Sequence, residues 1–153
     1  MAESRPEAVE IGAAAPADAP ELARLSTQLG YPMSAEEAVQ RLAALDGQPD
    51  HRLLVARRGG GVAGWLQVSR TRIFETPDSA EIAGLVVDEA HRGAGIGPML
   101  LRAAEDWARR RGCRAVRVRS NVIRERAHAF YRREGYGEIK QQRVFEKELP
   151  GTY

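Results

Sequence analysis

The chain has 153 residues, 43% of them hydrophobic and 29% charged, the length and balance of one globular domain that buries roughly two thirds of its unfolded surface. Its net charge of +2 comes from 21 Arg and 2 Lys against 21 acids, and no apolar run approaches the roughly 20 residues that a membrane span needs. A single cysteine, Cys113, excludes an internal disulfide, and three histidines (His51, His91, His128) at no ligand spacing argue against a zinc site.

Met1 to Pro20 lacks a basic start followed by an apolar core, so the expectation is a soluble protein of the cytoplasm. A short strand is predicted near Ala8 to Ala13. Asp18 can cap a helix whose Leu22, Leu25, Ser26 and Leu29 recur on one face, with Gly30 and Pro32 ending it. Ser34 followed by Glu37 is a capping box for a second helix, which turns Ala38, Leu42 and Leu45 to one side and stops at Gly47 and Pro49.

The period then changes. Arg52 to Arg57 and Val62 to Ile73 read as strands joined through Gly59, Gly60 and Gly61, which supply the positive φ a hairpin turn requires. Glu81 to Val87 is nearly all apolar, as in a central strand covered on both faces. From Ile96, the residues Leu100, Ala103, Ala104 and Trp107 mark a long helix ending near Gly112. A strand at Ala115 to Val118 follows, then a helix over Arg124 to Glu134, and two last strands at Tyr136 to Lys140 and Arg143 to Leu149. The order β-α-α-β-β-β-α-β-α-β-β predicts one α/β (α+β) domain over residues 1–153, built on a mixed sheet with helices flanking it.

The segment Asp88-Glu89-Ala90-His91 leads into Arg92-Gly93-Ala94-Gly95-Ile96-Gly97 and straight into the long helix. Glycines let a ligand approach the main chain, and a helix start offers free N–H groups and a partial positive charge, which together suit a phosphate or pyrophosphate. No Gly-Lys-Ser/Thr follows, against an NTPase loop, and the spacing is not the dinucleotide fingerprint.

These residues resemble the GNAT superfamily of acyl-CoA N-acetyltransferases, closely over Ala80 to Gly135 and in element order over nearly the whole chain. The family's acyl-CoA motif is matched by Arg92, Gly95 and Gly97 between a strand and a helix. Arg119-Ser120-Asn121, Ala127-His128-Ala129-Phe130-Tyr131 and Gly135-Tyr136 match its second segment. The resemblance implies a mostly antiparallel sheet and acetyl transfer from acetyl-CoA, as cosubstrate and without a metal, to a primary amine by direct attack on the thioester.

It also implies roles. The main chain of Leu85, Val86 and Val87 would pair with the pantetheine arm, the N–H groups of Arg92, Gly93, Ala94, Gly95, Ile96 and Gly97 would hold the pyrophosphate, and Asn121 would steady the arm. Glu81, eleven residues before Arg92, stands where one branch carries its general base, although it also reads as a solvated acid or the partner of an arginine. Val87 N–H would meet the oxyanion, and Tyr131 would protonate the leaving thiolate. Two residues depart from the family pattern: Pro98, which removes one N–H, and Glu134, where an apolar residue is usual.

Charge divides along the chain. Residues 1–50 hold nine acids against three Arg, a net of −6, while Arg109 to Arg133 hold ten Arg and one Glu. The resemblance puts the N-terminal helices beside the acceptor, so a small cationic amine is the favoured acceptor, with a protein lysine or N-terminus as the alternative, although Glu36, Glu37, Asp46 and Asp50 read equally as helix caps or arginine partners. Nucleic-acid binding through the arginines lacks interleaved aromatics, and a CoA-binding protein without turnover is the remaining reading. The sequence leaves a homodimer open. Cys113 and Trp107 are expected to pack rather than react, His128 to pack or face solvent; Trp65 and Gln67 read first as half-buried strand positions and second as pocket lining, and Tyr31, Pro32 and Met33 are weaker candidates for substrate contact.

Overall fold

The computed structural model describes residues 8–120 and 122–151, and the chain divides between Arg119 and Ser120 into two compact units. The first unit is built on a sheet of β1 (Val9–Ala13), β2 (His51–Arg58), β3 (Gly61–Thr71), β4 (Ser79–Val87) and β5 (Val116–Val118), in that spatial order. β1 to β4 run antiparallel to their neighbours, and β5 lies parallel to β4. Gly59 and Gly60, at φ 59° and 79°, make the β2–β3 turn that an L-residue with a Cβ would resist.

Helices α1 (Ala19–Leu29) and α2 (Ala35–Leu45) follow β1, and α3 (Ile96–Arg110) connects β4 to β5. The capping box forms: Ser34 Oγ accepts from Glu37 N–H at 3.1 Å, and Glu37 Oε1 accepts from Ser34 N–H at 3.2 Å. Asp18 stands at the N-cap position of α1 but makes no cap bond there. Its carboxylate accepts from Ala15 N–H at 2.7 Å and from both Arg57 Nη atoms at 2.6 Å, since a bidentate guanidinium is a stronger partner than a helical N–H.

Strand register decides which side chains meet. Val55, Trp65 and Val86 lie side by side and pack with Leu22, Leu25, Leu29 and Leu42 of α1 and α2. The alternate residues face α3: Gly64 approaches Ile96 and Leu100, and Leu66, Val68 and Ile82 are fully covered. Trp107 is in the core, with the Arg111 guanidinium 4.7 Å from its ring centre. Two helices thus cover one face and one helix the other.

The second unit contains α4 (Glu125–Arg133), whose Phe130 and Tyr131 rings meet edge to face at 5.2 Å, with Tyr136 a further 5.9 Å from Tyr131. Contrary to the sequence expectation, 136–149 contains no strand. A strand exists only where a neighbour takes its alternate N–H and C=O groups, and the apolar alternation that suggested one leaves Ile139, Val144 and Phe145 exposed.

Candidate active site

β4 outruns its neighbour. β5 pairs with Ala80, Glu81 and Ile82 only, whereas β4 continues to Val87 against β3. Among the described residues, Ala83 to Val87 therefore have a strand on one side alone. The register also tells which groups face the other way. Asp88 N–H donates to Ala63 O at 2.7 Å, which makes Val87 and Gly64 a non-hydrogen-bonded pair and Val86 and Trp65 a hydrogen-bonded one. Val86 therefore turns its N–H and C=O to β3, and Leu85 and Val87 turn theirs to the open edge.

A bulge sets the side chains. Gly84 pairs with Gln67 and Ile82 with Val68, leaving Ala83 as the extra residue. Gly84 and Glu81 consequently share the face of Trp65, Gln67 and Ser69. The Trp65 indole lies over Gly84, where an added Cβ would sit 2.9 Å from Cη2 and Cζ3. Glu81 stands opposite Ser69 and Arg117, and Arg119 Nε donates to Glu81 Oε1. Glu81 is thus an arginine's partner, one of its two sequence readings, while remaining partly open to solvent.

Beyond Val87 the chain makes a short 3-10 helix over Glu89–His91 and then the glycine turn. Gly93 and Gly95 have φ of 83° and 76°, and Gly95 caps α3. The turn needs the left-handed region twice, which explains both glycines. The N–H groups of Ile96 and Gly97 open a 15-residue helix and have no intrahelical acceptor; Pro98 contributes none. Arg92 N–H, by contrast, turns back to Glu89 O at 3.5 Å, and the Arg92 guanidinium lies 3.8 Å from Glu89. Among the described residues, the outward main-chain groups of Leu85 and Val87 face no strand and the N–H groups of Ile96 and Gly97 have no intrahelical acceptor, and these two sets flank Asp88 to Arg92, whose N–H groups all bond within the protein.

Asp88, to which the sequence reading gave no role, holds the 3-10 segment that leads into the turn. It is 7% exposed. Its Oδ1 accepts from Ala90 N–H at 3.1 Å and Gln28 Nε2 at 3.4 Å, and its Oδ2 from Arg24 Nη2 at 3.0 Å. Burial pushes its pKa up most strongly, but the Ala90, Arg24 and Gln28 hydrogen bonds together outweigh that and hold it below the ordinary aspartate value. An Asp just past a strand, two residues before a free N–H, is the sequence signal that could have found it.

In the second unit, burial pushes the Tyr131 phenol above the ordinary tyrosine value, with Arg124 pulling the other way. Asn121 lies outside the described residues. Burial also raises the Cys113 thiol, as suits a packed cysteine rather than a nucleophile.

Among the described residues no helix is long and apolar enough to cross a membrane. The model of the acetyltransferase (GNAT) family matches residues 19–136. An aminoalkylphosphonate N-acetyltransferase of Salmonella typhimurium is 38% identical over 58% of this chain, which spans only 58% of that relative. The N-alpha-acetyltransferase RimI of Mycobacterium tuberculosis is 35% identical over 91% of this chain and 85% of its own. An aminoglycoside antibiotic 6'-N-acetyltransferase, AAC(6')-Ih of Acinetobacter baumannii, shares the fold with a TM-score of 0.83 over 93% of this chain and 99% of that one, at 20% identity. With the family model matching well over half of its length and the open β4 edge leading into a glycine turn, the chain belongs to the GNAT acetyltransferase family.

Proposed function

We propose that the protein transfers an acetyl group from acetyl-CoA to the primary amine of a small molecule. The observation that carries this reading is the open edge of β4: its pairing with β5 ends at Ile82, while the strand runs on to Val87 and into the turn at Gly93 to Gly97. Leu85 and Val87 would hold the pantetheine amides, with Val86 already engaged by β3, and the turn would hold the diphosphate. Acetyl-CoA supplies a thioester activated toward nitrogen.

On this reading the chain's tasks follow from the chemistry. The amine is mostly protonated at neutral pH and must lose a proton before it attacks. Glu81 is the carboxylate on the face of Trp65 and Gln67 and would take that proton directly or through water, keeping Arg119 as its partner. Val87 N–H would meet the charge that develops on the carbonyl oxygen. Tyr131 would return a proton to the departing sulfur.

Four of the nine N-terminal acids that suggested a cationic acceptor are ion-paired: Asp18 with Arg57, Glu21 with Arg24, Glu37 with Arg41, and Asp50 with Arg70. A cationic acceptor therefore rests on the unpaired excess alone, and the aminoalkylphosphonate relative makes an anionic one an equal member of the test. The RimI relative, aligned over 91% of the chain, favours a second reading in which the acceptor is the N-terminus of a protein.

Thiol release from acetyl-CoA, followed with diamines, aminosugars, aminoalkylphosphonates and short peptides with free N-termini, tests these readings together. Amine-dependent release is expected with one of the small-molecule classes. Release with the peptides alone would move the assignment to the second reading, and no release above hydrolysis with any class would remove both.

A further inference from the structure

We infer that Asp88 is a positioning residue for the cofactor, locking the diphosphate turn to helix α1 through Arg24 and Gln28; this rests on the acetyl-CoA reading above. Asp88 directly follows the last residue of β4, with its N–H held by Ala63 O at 2.7 Å. Its other backbone group takes the far side of the turn: His91 N–H donates to Asp88 O at 2.9 Å. Its side chain takes Ala90 N–H at 3.1 Å. The three bonds leave the short helical turn before Arg92 little freedom of its own.

Helix α1 closes the arrangement from outside. Arg24 and Gln28 are four residues apart and so lie on one helix face. Arg24 Nη2 donates to Asp88 Oδ2 at 3.0 Å, and Gln28 Nε2 to Oδ1 at 3.4 Å. Gln28 also accepts from Glu89 N–H at 3.3 Å through Oε1, so one amide side chain grips both Asp88 and the residue after it. A carboxylate in such a site is expensive to bury without partners, and here the charge of Arg24, shared with Glu21 at 2.8 Å, is what compensates it. The 3-10 helix that leads into the glycine turn is thereby tied to α1.

A matched pair at the other end of α1 separates positioning from stability. Asp18 is as buried as Asp88 and is held by Arg57 in a bidentate pair at 2.6 Å, but no part of the glycine turn hangs on it. The test compares Asp88→Asn with Asp18→Asn by calorimetry with CoA, thermal unfolding, and hydrogen exchange at Gly93 to Gly97. Both substitutions should lower Tm. Asp88→Asn alone should raise the Kd for CoA, by roughly tenfold for the loss of charge-assisted bonds, and speed exchange at the turn, with the acetyl-CoA KM rising and kcat within about twofold of wild type.

If Asp88→Asn does not fold, Arg24→Ala with Gln28→Ala leaves the carboxylate in place and reads the same quantities, with the same expected direction. An unchanged Kd in Asp88→Asn, or in the double variant if only that folds, would overturn the inference. So would an equal rise in Asp18→Asn. Failure of the wild-type protein to bind CoA would instead remove the acetyl-CoA reading itself, and the inference with it.

Discussion

Tyr131 sits where its proton is retained. Burial raises its pKa above the ordinary 10.0, against a smaller opposing pull from Arg124, so the phenol stays protonated throughout the neutral range and its donor form is present at every physiological pH. If it protonates the departing thiolate, Tyr131→Phe should lower kcat by roughly 10²- to 10⁴-fold while the Kd for CoA stays within about twofold of wild type, measured by steady-state kinetics and calorimetry. A wild-type kcat, with chemistry shown to limit the rate, would contradict the role. Glu81 differs in kind, because its partner Arg119 holds it in place. Glu81→Gln keeps the shape and removes the base, so kcat should fall by roughly 10²- to 10⁴-fold with CoA affinity within about twofold of wild type, whereas a wild-type kcat would mean that Glu81 does not act as the base. The helix that carries Tyr131 was legible in the sequence. For Asp88 only the bond to Ala90 N–H had a local signal; its Gln28 and Arg24 partners lie 60 and 64 residues away in the chain.

The arrangement of β4 depends on what no linear pattern states. The strand itself, the glycine turn and α3 were readable from apolar runs, glycine spacing and helical periodicity. The bulge at Ala83 was not, since a bulge is defined by the count of residues on two strands at once, and without it Glu81 would point to the α3 face. Gly64 is a second case. An added Cβ there would lie 2.8 Å from Val86 O and 3.4 Å from Ile96 Cγ2 and Leu100 Cδ1, so the helix and the neighbouring strand both occupy the space a side chain would need. Gly64→Ala should destabilise by about 1–3 kcal/mol, seen as a lower midpoint in denaturant unfolding. A midpoint equal to that of wild type would show that β3 and α3 separate more easily than their packing implies. The last two predicted strands failed for the opposite reason: 136–149 has the alternation of a strand and no ladder.

At the level of the whole molecule, arginine is the common partner. Five N-terminal or turn acids are ion-paired to it, which the −6 count of the first 50 residues could not foretell, because pairing depends on the fold and a charge count does not. Asp18 and Asp88 are held below their ordinary 3.8, so each binds a proton more readily when the chain is unfolded. Their contribution is fully present above that value and is lost as pH falls through the lower folded ones. Tm should therefore decline as pH drops below about 4, and Asp18→Asn should flatten that decline while leaving Tm lower at neutral pH; an equally steep acid limb in the variant would deny the pair its role. The proposed function requires the open edge of β4 and the glycine turn together to bind the acyl-CoA main chain to main chain. The most direct measurement is the amide NMR spectrum of the protein titrated with CoA. Shifted and exchange-protected N–H signals are expected at Leu85, Val87 and Gly93 to Gly97, with Val86 already protected by β3 before CoA is added. Saturable CoA binding that leaves the Leu85, Val87 and turn signals unmoved would contradict it.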